Sequence, residues 1–520
     1  MIHSPLTKSL KPSSLFFVLL VVGLSCFAAL TQAEEPMIIY NEDNDHFYNL
    51  PPECMTREYV ERYFNNYADT KITDYFLCLN GQVASFDSKT LQTVWDEIDQ
   101  YENPSRWMAN AKLLHDRGVD FYAVGVERCR ANGISPWISI RMNDVHCVGV
   151  KPRHFRTTRH YEEHPELWRV PDAVEKKISD WNAYAYNYSR KEVRDYYLAL
   201  VQEVLERYDM DGLELDWMRF GYHLTPGKER EEAVFLTEFV RQARVLTNEA
   251  SEKRGHPVQL AVRIPQTVET ALGLGMDGIT WAKEGLIDVM TVSTFLSADF
   301  NTPIQQWKDE LGDAATTVKI VPATDNGIYS YAQRRVYTDA ALVYGWANTM
   351  YWQGANAFYL FNYPYTAGDN PGLGTWQMLT TGLSRETVLR AQRRHPVSLR
   401  DFVLYGMSSE CQLPKKTDTN LKFSVQIGQK PDRGRAHVCL AFTEGENLNE
   451  TAIRLKLNGH ETPMVTDILY SPTDCFGEKI ARAVSFEFSH EQLIDGINEI
   501  TLEATEFPQE LVWVEIRCGY

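Results

Sequence analysis

Past its first thirty or so residues the sequence has no apolar run approaching the roughly 20 residues that a bilayer span requires. It has no CxxC pair and no His-x-His cluster, so the usual spacings of a metal site are missing. Positive charge is in short supply: 52 Lys and Arg stand against 70 Asp and Glu, and the net charge of −18 opposes phosphate backbones and anionic lipid surfaces. No nucleic-acid partner is expected. Internal repeats and low-complexity linkers are also missing, which excludes a solenoid or a string of loosely tethered modules. What remains is core-forming material. Apolar residues make up 44% and aromatic residues 12% of 520 positions, enough for two or three folded domains and too much for a disordered or collagen-like chain.

The amino terminus reads as a processing signal. Lys8 and Lys11 precede the apolar stretch from Leu15 to Leu30, and Thr31-Gln32-Ala33 supplies small residues before Glu34. Residues 1–33 are therefore expected to be a signal peptide that exports the protein, secreted or periplasmic, with no integral span in the mature chain. Eight cysteines follow it: Cys54, Cys78, Cys129, Cys147, Cys411, Cys439, Cys475 and Cys518. An even count in an exported protein permits disulfides within each half, and buried free thiols are the alternative.

From about residue 37 to 392, short β-branched or aromatic runs alternate with longer amphipathic stretches. That is the pattern of βα units around a parallel sheet. Eight strands are expected at Met37–Tyr40, Ile72–Leu79, Ile134–Arg141, Gly212–Trp217, Gln259–Ile264, Asp288–Phe295, Val318–Ala323 and Ala357–Phe361. Helical patterns lie between them, among them Arg106–Asp116, Lys191–Tyr208, Arg230–Lys253 and a last one at Thr375–Gln392. The fold class is thus α/β, a (β/α)8 TIM barrel over residues 34–396. From Val397 onward the period becomes two, as in Leu421–Ile427, Ile453–Leu457 and Val512–Ile516, with turns such as Asn458-Gly459 between the runs. Residues 397–520 are read as a C-terminal antiparallel β-sandwich packed directly on the barrel, a buttress rather than a glycan-binding module.

Barrel enzymes place their chemistry just past the carboxyl ends of the strands. The segment Asp209-Met-Asp-Gly-Leu-Glu-Leu-Asp-Trp-Met-Arg-Phe220 forms the fourth strand and its exit. Side chains alternate on a strand, so Glu214 and Asp216 face one way and Leu213, Leu215 and Trp217 the other. With the leucines on the helices, two acids about 7 Å apart point into the barrel, a costly arrangement unless it serves chemistry. The bland alternative is an ion pair with an inward arginine, Arg141 or Arg263. Asp211 belongs to the turn that enters the strand.

The stretch Asp211-Gly212-Leu-Glu214-Leu-Asp216-Trp217, with Pro136-Trp-Ile-Ser-Ile-Arg-Met-Asn-Asp144 and Gly278-Ile-Thr-Trp-Ala-Lys-Glu-Gly-Leu-Ile-Asp-Val289, resembles the family-ten-like glycosyl-hydrolase-like barrel proteins of bacteria. The resemblance covers most of residues 37–392 and implies a barrel acting on glycans. The strand is also similar to the chitinase pattern Asp-Gly-x-Asp-x-Asp-x-Glu, but Met218 stands where the catalytic Glu would be, which argues against the substrate-assisted chitinase mechanism.

A glycosidase needs two carboxyl groups flanking the sugar. Asp216 is the expected nucleophile or base, with Glu214 beside it. The partner is sought at another strand end, where Asp144, Asp299 and Asp325 are the candidates. Substrate-positioning residues are expected among Asn44, Asp45, Asn80, Arg141, Asn143, Trp217, Arg219, Arg263 and Asn362, with Trp137, Tyr222, Trp352 and Tyr363 as possible aromatic platforms. The arginines suggest an acidic or sulfated sugar, because a guanidinium binds carboxylate or sulfate in a bidentate fork. The expected function is a secreted glycoside hydrolase with a carbohydrate substrate, no cofactor and no metal. Two alternatives are a carbohydrate-binding barrel without turnover, and a metal-dependent barrel hydrolase drawing on His146, His154, His160, His164 or His223.

Overall fold

The computed structural model of the protein describes Met1 and residues 35–519 other than 44, 151–152, 172–181, 296, 326, 332–333, 364–373, 399–412, 414–419, 444–452, 466–479 and 505–510. The expected signal peptide, Asn44, Cys411 and Cys475 lie outside the described residues. Eight parallel strands close into a barrel: β1 (Met37–Glu42), β2 (Asp74–Cys78), β3 (Ser135–Arg141), β4 (Gly212–Asp216), β5 (Gln259–Pro265), β6 (Val289–Ser293), β7 (Lys319–Asp325) and β10 (Ala357–Phe361). A hairpin, β8 (Gly327–Tyr331) with β9 (Arg334–Tyr337), is inserted after β7. The hairpin is not expected from the sequence pattern, because its strands are short and the helical pattern resumes at once.

Side-chain caps start several of the surrounding helices where the sequence offers them. Thr56, Ser105, Asp120, Thr267 and Asp339 each accept a backbone N–H from the first turn of their helix. The segment expected as one helix over Thr375–Gln392 is two, Thr375–Thr381 and Arg385–Arg390. Gly382 takes the left-handed region between them (φ 84°), and Ser384 caps the second. The helix Phe121–Ala131 went unrecognised; six of its residues are buried, so it carries little of the polar periodicity that marks a surface helix. No described helix is long and apolar enough to cross a membrane.

Alternation along β4 divides its side chains between two cores. Leu213 and Leu215 join the large cluster between strands and helices. Inside the barrel a second cluster is built from Ile39, Phe76, Trp137, Ala261, Val289, Val321, Ala323, Ala357, Tyr359 and Phe361. Gly212 is glycine because of this interior: a Cβ there would lie 2.2 Å from the Trp137 ring. Asp211, just before it, anchors the entering turn by accepting from Arg130 and from Ser135 Oγ.

The C-terminal region is a pair of antiparallel sheets. One has the order β11 (Arg393–Pro396), β19 (Leu511–Cys518), β13 (Arg435–Thr443), β17 (Ile480–Ser489), β16 (Met464–Val465). The other runs β12 (Asn420–Gln426), β18 (Ile497–Ala504), β14 (Ile453–Leu457), β15 (His460–Thr462). Residues from both sheets, such as Phe423, Leu440, Phe486 and Leu502, share one core. The sheet begins at Arg393, ahead of the change in sequence period near 397, because a four-residue strand of Arg-Arg-His-Pro carries no apolar alternation. Cys54, Cys78, Cys129, Cys147 and Cys518 are free thiols, and no disulfide joins two of the described residues.

The outer face of this sheet belongs to the barrel. Ala441, Ala483 and Trp513 are part of the barrel–helix core. Glu515, fully buried, accepts from Arg394 and Arg517, and Arg394 also donates to Asp339 at the start of the helix Ala340–Trp352. On that helix, Asn348 donates to the carbonyls of Ile427 and Gln429. Gly345 lets helix and β11 approach so closely that a Cβ would lie 2.0 Å from the Arg394 carbonyl oxygen. Gly345→Ala should therefore push the strand off the helix and lower the unfolding midpoint, at a cost of about 1–3 kcal/mol. Calorimetry showing an unchanged midpoint would mean that the two elements are free to separate.

Candidate active site

In a barrel of this type inward side chains fall into layers of four taken from alternate strands. Following the strand register, the layer of Asp216 also holds Cys78, Ser293 and Phe361. Beneath it lie Asn41, Ser139, Arg263 and Ala323, and beneath those Glu214, Phe76, Thr291 and Tyr359. Arg141 and Asp325 stand one step above Asp216, on strands opposite each other.

Asp216 and Glu214 occupy different environments although they share a strand. Arg263 grips Asp216 in a two-pronged contact, Nε to Oδ1 at 2.9 Å and Nη2 to Oδ2 at 2.8 Å, and the Met218 N–H donates to Oδ1 at 3.0 Å. The guanidinium is itself placed by Ser293 Oγ at 3.2 Å and by the Phe361 ring, 4.2 Å from its carbon. Two layers down, Glu214 Oε2 accepts from Ser139 Oγ at 2.6 Å and from the Tyr359 hydroxyl at 3.0 Å, while Oε1 is buried without a partner. Burial and then the charge of Asp216 push the Glu214 pKa up to about 8, against the pull of Arg263. Glu214 is therefore biased toward its protonated form.

Above these layers is a cleft of about 100 Å³ over the ends of β1 to β4, lined by Asp43, Asp45, Gly81, Gln82, Val83, Trp107, Arg141, Asp144, His146, Arg156 and Arg219. Arg141 organises one wall. Its Nη2 donates to Asp43 Oδ1 at 2.5 Å and its Nη1 to Asp144 Oδ2 at 3.2 Å. Asn362, turned into the left-handed region at φ 51° just past β10, donates to the other oxygen of Asp43 at 3.1 Å. His146 meets Asp144 with both its backbone N–H and its ring, each 2.9 Å from Oδ1. Although burial alone would raise them, Arg141 and the neighbouring histidines hold Asp43 and Asp144 well below the usual carboxylate range. Asp45 behaves oppositely: burial and the charge of Asp43 raise its pKa.

Several residues expected at the site do other work. Trp217 is fully buried on the helix side, edge-on to Phe239 and Tyr188, because the alternation that turns Asp216 inward turns its neighbour outward. Asn80 spends its amide on the backbone, exchanging hydrogen bonds with the Arg141 main chain and donating to the Gly81 carbonyl. Asn143 likewise ties loops together through Tyr186 and the Tyr222 carbonyl. Asp299 accepts from Gln266, Asn301 and Ser398, so its carboxylate braces the loop after β6 and does not line the cleft. Of the candidate aromatic platforms, Trp137 fills the barrel interior and donates to Asp74, and Tyr363 is buried. The aromatic residue in the cleft is Trp107, with the Arg156 guanidinium 5.2 Å above its ring. Sequence reasoning missed Asp43, Gln82, Trp107 and Arg156, all of which lie on loops or a helix where no strand-end pattern applies.

Among the described residues, Asp43, Asp45 and His46 bring ligand atoms within 4.8 Å of one another, close enough to share a cation. Asp43 is already paired with Arg141, and the His46 ring lies 3.5 Å from Glu42. The histidines considered from sequence do not converge: His160 packs on His164 and Tyr196, and His223 bonds the Trp217 carbonyl.

No known family profile matches the sequence. A stretch of 103 residues, 19% of the chain, is 33% identical to 1,4-alpha-glucan branching enzymes of Xanthomonas axonopodis pv. citri and Xanthomonas oryzae pv. oryzae. The chain spans only 12% of the length of these curated relatives. Among solved structures, the PgaB (BpsB) glycoside hydrolase domain from Bordetella bronchiseptica overlaps 68% of this chain and 99% of its own, at 10% identity and a TM-score of 0.41. The noncanonic maltogenic alpha-amylase AmyB from Thermotoga neapolitana overlaps 90% and 98%, at 10% identity and a TM-score of 0.40.

The proton on Glu214 gives the site a measurable pH signature. An unfolded Glu titrates near about 4.3, so the stability that Glu214 contributes is full below that value and is lost as pH rises through about 8. Glu214→Gln keeps a neutral group of the same shape and should escape this loss. The melting temperature of the variant relative to wild type is expected to climb between about pH 5 and pH 9. A difference independent of pH would show that Glu214 titrates as an ordinary carboxyl.

Proposed function

We propose that the protein is an exported glycoside hydrolase that cleaves a polysaccharide or oligosaccharide at the carboxyl-end mouth of the barrel. The observation that carries this reading is the sorting of carboxyl groups there. Asp43 and Asp144 are held as anions, while Asp45 beside them and Glu214 beneath are biased toward the protonated form. Glycoside hydrolysis needs such a division, one carboxyl to donate a proton to the leaving oxygen and another to carry charge opposite the oxocarbenium-like centre. Asp216 suits the second role, because the two-pronged Arg263 contact fixes its orientation. Asp45 suits the first, since it lines the cleft and its pKa is raised. Asp325, inward at the end of β7, is the other partner available across the barrel. Arg141 and Asn362, through Asp43, fix the wall against which a sugar would rest.

A glycan-binding barrel without turnover would use the same cleft, and Asp216 separates the two readings. Asp216→Asn should lower turnover by several orders of magnitude and leave glycan affinity nearly intact, because the lost charge acts in the transition state. The variant also strips Arg263 of its buried counter-charge, worth about 3–5 kcal/mol, so its melting temperature must be read on the same preparation. An Asn variant that cleaves the wild-type substrate at an undiminished rate removes Asp216 from the mechanism. Glycan binding with no cleavage by the wild type favours the binding module.

A further inference from the structure

The arginines that line the cleft are not equivalent. Arg141 is paired with Asp43 and Asp144, and Arg156 lies 3.6 Å from Asp45. Arg219, just past the end of β4, has neither a hydrogen bond nor an ion pair among the described residues, and its Nε is buried without a partner. It is 7% exposed. Its guanidinium carbon sits 5.5 Å from the Phe220 ring, 5.7 Å from Phe295 and 5.5 Å from Phe361. Rings around a guanidinium hold its plane and supply some cation–π attraction, but they satisfy none of its N–H donors. Burial and the guanidiniums of Arg141 and Arg263 work against its charge, while the carboxylates of Asp43 and Asp144 work for it, with the balance lowering its pKa.

A guanidinium left in this state carries an unrelieved desolvation cost, which a bound anion would offset. An arginine presents a rigid planar fork that matches the paired oxygens of a carboxylate or sulfate. Neutral sugar hydroxyls do not supply that counter-charge. Asp43 and Asp144 favour its charge from a distance, but both direct their oxygens to Arg141 and neither hydrogen-bonds Arg219.

We propose that Arg219 is the anion-recognising residue of the cleft and that the protein's glycan carries a carboxylate or sulfate group on the sugar bound over β1 to β4. This rests on the glycan reading above and narrows it to acidic sugars. The shared chemistry is an oxyanion with two oxygens free for the fork, and uronate and sulfate ester are its two sources.

The test is calorimetric titration of the full-length mature protein with three probes of equal length: an oligogalacturonate, a sulfated galactan oligosaccharide and a neutral galactan oligosaccharide. One acidic probe should bind at least tenfold more tightly than the neutral one, and which of the two does so identifies the source. Arg219→Met, which keeps the packing among the three rings and removes the charge, should erase that preference and raise the melting temperature. Arg219→Lys should restore only part of it, since an ammonium lacks the fork. Equal or absent binding of all three probes by the wild type overturns the proposal, as does an acidic preference that survives in Arg219→Met. Binding is read without turnover, so the two readings fail separately. Arg219-dependent binding without cleavage leaves this inference standing and sinks the hydrolase, whereas cleavage of neutral glycans alone does the reverse.

Discussion

An acid and a guanidinium shut inside a barrel are tolerated only when each completes the other, and the two-pronged contact between Asp216 and Arg263 is the constraint around which the mouth is arranged. Arg263 can take that position because the Phe361 ring packs against its guanidinium and Ser293 accepts from its Nη1. Both come from the layer that Asp216 itself occupies. The pair and its two supports thus tie four strands together across two adjacent layers and leave a charged floor under the cleft.

Two other features follow from this floor. Glu214 lies below it, sealed from solvent by the groups above, and the negative charge of Asp216 adds to burial in keeping its proton on. Arg219 lies above it and finds the nearest carboxylates already engaged, Asp216 by Arg263, and Asp43 and Asp144 by Arg141. Charge within the barrel is balanced almost pair by pair, and the imbalance is left at the surface that a ligand would reach.

The positions of the eight barrel strands could be read from the sequence because buried parallel strands are short apolar runs, and the loops between them are rich in turn residues. The inward direction of Glu214 and Asp216 followed from the two-residue period. That period says nothing of what a side chain meets, and so Trp217, Asn80, Asn143 and Asp299 looked available while the fold had committed each of them elsewhere. The cleft wall was hidden for a related reason. Asp43, Trp107 and Arg156 come together from a strand exit, a helix and a long loop, and nothing local in the chain records that meeting. The hairpin after β7 and the early start of the C-terminal sheet at Arg393 escaped notice because pairing over long range, not local pattern, makes them strands.

The pairing of β11 with β19 has a consequence for how the protein is made. β11 leaves the ribosome directly after the barrel's last helices, but the strand that must lie beside it is synthesised more than a hundred residues later. Through that interval the outer side of the helix Ala340–Trp352 lacks the cover that Trp513 and its sheet provide, and Arg394 lacks Glu515. A nascent barrel is therefore complete in its hydrogen-bonded ring yet sticky on one flank. Final locking of the two regions is therefore deferred until the last strand has been made.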